Sequence, residues 1–329
     1  MTSYDNYVRY TQLGSVAATP TGIVGDLHGE RFRVDVLRAD IVRFKVSRGG
    51  VFDEAPTHAV SADLTDVRAA FAVEESDGEL RVVTEALTVH VGLDPFRVGV
   101  RRADGSAVLE TAPLHDGGFA AYATLNDAFT FARRRTPTDS FFGLGEKTGS
   151  GNRSGRDFTL WNTDVLNPTA SGEFTAGRAA DDPRARNTSA EFDPYYMSIP
   201  FFYHRDGVTG AMSGSFVDNG YRATYDFAPG HQYRVHFAGG QYTEYVFAGP
   251  TMSDILEAYT WLTGRMELPP LWALGYHQCR WHRYTQEDFE VLADRLRADE
   301  VPCDGLWLDI EYMDGYRVFT WNREVFPDP

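Results

Sequence analysis

Cysteine is nearly absent: Cys279 and Cys303 are the only two in 329 residues. One closes a predicted strand and the other opens the next parallel strand, so they fall at opposite ends and do not suit a disulfide. Without histidines at ligand spacing they do not suit a structural zinc site either. Positive charge is in deficit, with 31 Lys and Arg against 47 Asp and Glu and a net charge of −16. That balance speaks against a nucleic-acid or anionic-membrane partner. The one dense basic cluster, Arg133-Arg134-Arg135, reads as a solvated strand end. No apolar run approaches the roughly 20 residues that cross a bilayer. The start, Met1-Thr2-Ser3-Tyr4-Asp5, has neither a basic nor an apolar leader region, so a cytoplasmic location is expected. Also missing are a Gly-rich phosphate loop, a Gly-x-Ser-x-Gly elbow and a His-Glu-x-x-His helix, and no cofactor or metal is expected.

What is present is organised around Asp304–Tyr316. The apolar run Leu306-Trp307-Leu308 leads into Asp309, Glu311 and Asp314, as a buried strand would that delivers carboxylates to its C-terminal end. Upstream, Thr285-x-x-Asp288 has the form of a capping box, and Phe289, Leu292 and Leu296 recur at helical spacing. Before that helix, Leu271–Tyr276 reads as a second buried strand, ending in His277, Gln278, Cys279, Arg280 and Trp281. Strand, helix, strand in this order is a βαβ unit with both polar ends on one side.

From Val8 to about Phe247 short apolar stretches are punctuated by Gly, Asp and Asn. Arg31–Arg38, Ile41–Val46 and Leu80–Val91 alternate or nearly so, and turn signals fall at Gly49-Gly50, Asp77-Gly78 and Asp104-Gly105. So many strands at this spacing predict a large β-sandwich. The segment 149–193 breaks the rhythm. It is long and polar, with an island Leu160-Trp161-Asn162-Thr163-Asp164 whose Trp needs a surface to pack on. Gly249-Pro250 ends the sandwich, placing one domain at 1–249 and a second at 250–329 that opens with a connector helix over Thr251–Thr263. On that helix Ile255, Leu256, Tyr259 and Leu262 share a face.

Asp309 and Glu311, two apart on a strand, put carboxylates on one face roughly 6–7 Å apart. That spacing could suit a carboxylate pair for glycoside chemistry, but two acids at a strand end are more often one substrate-hydroxyl ligand beside one structural ion-pair partner. Trp281, Tyr312, Tyr316, Phe319 and Trp321 crowd the same end. Aromatic planes with carboxylates match the apolar face and hydroxyl rim of a sugar, although some of these rings serve equally as core.

Leu306-Trp-Leu-Asp-Ile-Glu-Tyr-Met-Asp-Gly-Tyr-Arg-Val-Phe-Thr-Trp-Asn, followed by Phe326-Pro-Asp-Pro, resembles the second barrel strand and following loop of glycoside hydrolase family 31, the α-glucosidase family. Phe142-Gly-Leu-Gly-Glu-Lys, Leu160-Trp-Asn-Thr-Asp, Tyr195-Tyr-Met-Ser-Ile-Pro-Phe-Phe and Pro269–Trp281 occur in that family's order. The resemblance implies a galactose-mutarotase-like β-sandwich followed by the first βαβ unit of a (β/α)8 TIM barrel. It implies that Asp309 holds hydroxyls of the sugar in the −1 subsite, that Ile310 lines that pocket and that Trp281 is an aromatic wall. Asp164, on the long sandwich loop, would reach the substrate as well. Glu311 is not the family's nucleophile, which decides against a dyad with Asp309. An eight-unit barrel needs about 250 residues and only about 80 follow Gly249, so the chain is expected to be a truncated front portion. The aspartate nucleophile and aspartate acid/base would lie beyond it, leaving no catalytic residue in this chain.

The activity implied is that of a retaining α-glucosidase acting on terminal α-linked glucose of oligosaccharides. Within the family an α-xylosidase or α-glucosyltransferase stays open, as does a non-catalytic carbohydrate-binding sandwich of another class. Nothing in the sequence decides the oligomeric state, and a homo-oligomer is left open.

Overall fold

The alternating stretches pair, in a computed structural model that describes residues 6–65, 67–112, 119–163 and 193–329, into three antiparallel sheets and one parallel pair. The chain divides into two compact units, Met1–Gly264 and Arg265–Pro329.

In the first unit an eight-stranded sheet runs in the spatial order 14–19, 22–27, 30–38, 41–46, 242–247, 212–217, 198–205 and 140–145. Two five-stranded sheets complete it: a meander over residues 72–110, and a second whose order is 121–122, 129–134, 232–237, 223–226 and 157–160. All three share one core. Phe32 and Tyr242 of the large sheet meet Phe96 of the meander, Phe119, and Phe129 and Phe131 of the other sheet. Phe119 touches Phe32, Phe44, Phe96 and Tyr242 edge-on at 5.3–6.2 Å, the offset geometry that aromatic quadrupoles favour. The sheets therefore form the expected sandwich.

Leu80–Val91, expected as one strand, is a hairpin of Glu79–Val83 and Leu87–Leu93. Thr84 makes the turn: its Oγ1 accepts from the amides of Ala86 and Leu87 at 3.2 and 3.0 Å. A Thr hydroxyl that bonds its own backbone competes with the ladder, a signal hidden inside an alternating run.

Tyr242–Phe247 is buried at every position, because both of its faces are covered. Tyr242, Glu244 and Val246 face the sandwich core, while Tyr245 and Phe247 lie under helix α1 (Met252–Thr263). Helix α1 starts at a Thr251/Asp254 capping box and buries Ile255, Ala258 and Leu262 against Leu37, Ile41, Phe201, Phe216 and Phe247. Tyr259 stacks on Phe201 at 4.2 Å, whereas Leu256, about a hundred degrees round the helix from the buried Ile255, is exposed. Gly214 makes the approach feasible, since a Cβ there would stand 2.6 Å from Ile255 Cγ2. This packing carries the first unit to Gly264, past the boundary expected at Gly249. The connector belongs with the sheets because its apolar face is spent on them.

Of the triple arginine only Arg134, exposed at the end of its strand, is the solvated strand end expected. Arg133 is fully buried, donating from Nη2 to Glu244 Oε2 at 2.8 Å and from Nη1 to Phe119 O at 2.9 Å, with its guanidinium over the Phe119 and Phe131 rings. Glu244 also accepts from Ser215 Oγ at 2.7 Å and from the Tyr242 hydroxyl. Arg135, two residues on and so on the same face, is buried as well and donates to the carbonyls of Phe227 and Asp139. Charge reads as surface because charged residues are almost never fully buried unless paired; here the pairing partner is over a hundred residues away.

In the second unit helix α2 (Gln286–Ala298) opens on the expected Thr285/Asp288 capping box. Phe289, Leu292 and Leu296 form its half-buried stripe. The strand before it is not Leu271–Tyr276. Leu271–Leu274 is a 3-10 turn following Pro269-Pro270, and the strand is His277–Arg280, paired parallel with Gly305–Leu308. The partner supplies a four-residue ladder, so pairing decides which part of the apolar-to-polar run is extended. Leu271 and Leu274 are exposed. Among the described residues no helix is long and apolar enough to cross a membrane.

Candidate functional site

Parallel pairing in register, with Cys279 opposite Trp307 and Arg280 opposite Leu308, brings the C-terminal ends of both strands side by side. Trp281 leaves the first strand and Asp309 the second at that edge. In this way the topology brings three of the four expected residues together: Trp281, Asp309 and Ile310. Asp164 lies outside the described residues.

On the shared face the side chains form a diagonal series. Trp307 Nε1 donates to His277 Nδ1 at 2.8 Å, Cys279 Sγ donates to Asp309 Oδ2 at 3.9 Å, and Trp281 Nε1 donates to Glu311 Oε1 at 3.2 Å. Each contact joins residues thirty apart. The backbone register pairs residues twenty-eight apart, as His277 with Gly305, so each side chain reaches the diagonal neighbour on the partner strand. Trp307's donation leaves His277 Nε2 as the donor to Trp272 O, at 3.1 Å, which settles its tautomer.

Asp309 and Glu311 differ in what they touch. The half-buried Asp309 carboxylate has one hydrogen-bond contact among the described residues, the Cys279 thiol, a weak donor. Glu311 accepts from Trp281, from the Tyr316 hydroxyl at 3.2 and 3.1 Å, and pairs with Arg283 Nε at 3.5 Å. One carboxylate is free to meet hydroxyls, and the other is already engaged. The rings divide too. Trp321 packs against Tyr312 and the buried Phe326 and stays 39% exposed, while Trp281 is 71% exposed and Phe319 is 98% exposed. Sequence reasoning missed the diagonal partners. Their signal was the matched period of two in His277-x-Cys279-x-Trp281 and Trp307-x-Asp309-x-Glu311, which becomes meaningful only once the register is known.

A larger concavity, about 1240 Å³, lies within the first unit on the outer face of the eight-stranded sheet. Its floor carries Asp35, bonded by Arg33 and Arg43 at 3.0 and 2.8 Å, and Lys45, bonded to Glu54 at 2.7 Å. Trp161 and Tyr221 are among the residues lining it. The floor charges are satisfied by one another, and none of Trp281, Asp309 or Ile310 lines the groove. Among the described residues no group of three His, Cys, Asp or Glu side chains is placed to hold a metal ion.

The fold, a β-sandwich followed by the opening βαβ unit of a barrel with carboxylate and aromatic groups at its C-terminal edge, defines the architecture of a barrel glycosidase. The profile described as the glycosyl hydrolase 31 N-terminal galactose mutarotase-like domain matches residues 31–226, and that of the glycosyl hydrolases family 31 TIM-barrel domain matches residues 266–329. The chain belongs to glycoside hydrolase family 31. It is 34% identical over 302 residues to alpha-glucosidase 2 of Bacillus thermoamyloliquefaciens, covering 90% of this chain and 34% of that protein. It is 49% identical over 87 residues to glucosidase 2 subunit alpha of Schizosaccharomyces pombe, covering 26% of this chain and 9% of that one. A family 31 dextranase of Flavobacterium johnsoniae, solved with isomaltotriose, shares the fold with a TM-score of 0.81 at 23% identity, over 97% of this chain and 36% of that one. The chain thus spans about a third of the length of the Bacillus and Flavobacterium proteins, each of which matches nine-tenths of it or more.

Proposed function

We propose that the protein acts as a retaining α-glucosidase on terminal α-linked glucose of oligosaccharides, with this chain supplying groups that hold the substrate. The observation that carries the reading is the pairing of an uncommitted carboxylate, Asp309, with an exposed indole, Trp281, on one edge of the parallel pair. A pyranose offers a C–H face to the ring and a rim of hydroxyls to the carboxylate. In this reading Asp309 accepts hydroxyl hydrogen bonds in the −1 subsite, Ile310 lines it, Trp281 walls it, and Asp164 contributes from the sandwich loop. A retaining route needs a nucleophile and an acid/base about 5–5.5 Å apart. Glu311, with its oxygens taken by three donors, is poorly suited to either role. Both groups would come from later barrel strands. The α-glucosidase names among the relatives support glucose over xylose.

The test is hydrolysis of p-nitrophenyl α-glucoside by the 329-residue chain beside the same chain continued by a full family 31 barrel. Turnover by the longer form alone supports the reading; turnover by the short chain brings Asp309 and Glu311 back as a catalytic pair. Binding without turnover by either form favours a carbohydrate-binding module. In the active form Asp309→Ala should raise the barrier in kcat/KM by roughly 2–3 kcal/mol, the scale of charge-assisted hydrogen bonds that strengthen in the transition state.

A further inference from the structure

We propose that Glu311 is a positioning residue that sets the plane of the Trp281 indole, and through it the shape of the aromatic wall. The inference rests on the reading of Trp281 as a wall of the sugar site and adds a residue that acts on it.

An exposed indole has few packing contacts to hold its two side-chain torsions. At 71% exposure, Trp281 is oriented chiefly by its one polar atom, the Nε1–H, which is a donor only. That atom is bonded to Glu311 Oε1 at 3.2 Å. The acceptor is itself fixed, by the Tyr316 hydroxyl bridging both of its oxygens and by Arg283 Nε. Glu311 is also well covered, with 16% of its side chain exposed, so water competes poorly for the indole.

The contact continues a pattern. The His277–Trp307 and Cys279–Asp309 contacts have the same offset of thirty residues, and Trp281–Glu311 repeats it one residue beyond the first strand and three beyond the second. The common offset therefore persists past the last backbone hydrogen bonds, even though Glu311 lies in the turn that the Met313 amide closes on Ile310 O at 3.3 Å. It places the carboxylate that meets the sugar and the carboxylate that holds the wall on consecutive rungs. This division of labour explains why two acids so close in sequence need not form a catalytic pair.

A wall that binds the sugar face alike in ground and transition states lowers KM and leaves kcat unchanged. With p-nitrophenyl α-glucoside and the chain continued by a full barrel, Glu311→Ala and Trp281→Phe should each raise KM roughly tenfold, the scale of one hydrogen bond to a charged group. The double variant should be no worse than either single one, and Glu311→Gln, which keeps an acceptor oxygen, should recover most of the loss. An unchanged KM in Glu311→Ala, a multiplicative double variant, or a fall in kcat alone would overturn the proposal. Absence of turnover by the parent enzyme would sink the α-glucosidase reading instead. The indole N–H resonance of Trp281 in the 329-residue chain, assigned through Trp281→Phe, then decides the matter: it should move and exchange faster in Glu311→Ala, and a resonance that stays put removes Glu311 from this role.

Discussion

The sandwich and the βαβ unit cover their apolar surfaces to very different degrees. In the first unit strands such as Tyr242–Phe247 are buried on both faces, and a charged pair, Arg133 with Glu244, is sealed in the core. Between Arg265 and Pro329 a single side chain, Phe326, is buried, and the two parallel strands pair with nothing but each other among the described residues. Parallel sheets ordinarily have both faces covered and neighbours on each side. The first unit has the contacts of a self-sufficient domain, whereas the second holds a local scaffold whose order comes from caps, one short ladder and side-chain hydrogen bonds.

The largest effect that would test the contrast is in the core. Glu244→Ala leaves Arg133 buried without a counter-charge and removes the acceptor of Ser215 and Tyr242. Breaking a buried pair from one side costs about 3–5 kcal/mol. Urea unfolding of the 329-residue chain, followed by near-ultraviolet circular dichroism, should show a loss of that size. A loss within experimental error would mean that the sandwich does not depend on its sealed pair.

Next comes the boundary. Ile255→Ala should destabilise the sandwich by about 2–4 kcal/mol, the cost of a buried aliphatic deletion that leaves a cavity, and should speed amide exchange in Met212–Val217 and Tyr242–Phe247. If those strands keep their protection, α1 belongs with the second unit instead.

Acid should act on the sandwich through carboxylates held below their ordinary range. Burial pushes the Asp139 carboxyl up, but donation from His204 at 2.8 Å, from Thr136 and from the Gly207 amide outweighs it and holds the group well below 3.8. Burial likewise pushes Glu54 up, and Arg33 with Lys45 brings it down from 4.5 to about 2. A depressed carboxylate contributes stability that is complete above its unfolded pKa and lost as pH falls through the folded one. The melting temperature should therefore hold down to about pH 5 and fall steadily below pH 4. Asp139→Asn should flatten that fall more than Glu54→Gln, because Glu54 is half exposed and screened. Equal slopes in both variants and the parent would locate acid sensitivity elsewhere.

Legibility in the sequence tracks the range of the interaction. The Thr285/Asp288 capping box can be read directly, because its two residues lie within one turn. The strand-rich first unit and the βαβ order are legible from periodicity. Which residues of Leu271–Arg280 are extended is not, since Gly305–Leu308 decides it from across a helix. Arg133 reads wrongly as surface because its partner Glu244 is remote in sequence. Trp281, Asp309 and Ile310 are placed by family resemblance, and the commitment of Glu311 to Trp281 becomes visible only with the register.

The smallest effect separates the two regions most cleanly. Thr285→Ala removes the side chain that accepts from the Asp288 amide at 3.1 Å and donates to its carboxylate at 2.8 Å. Loss of such a cap costs about 1 kcal/mol. In a region where one side chain in sixty-five is buried, tertiary packing has little means to make up the difference, so the loss should appear as faster amide exchange along the first turns of α2. It should extend to Gly305–Leu308, whose ladder partner precedes that helix. The sandwich should be unmoved, with exchange in Ile41–Val46 and Tyr242–Phe247 as in the parent chain. Slower folding or lower protection in those strands would show that the two regions share one cooperative unit, and that the contrast in burial does not translate into a contrast in stability.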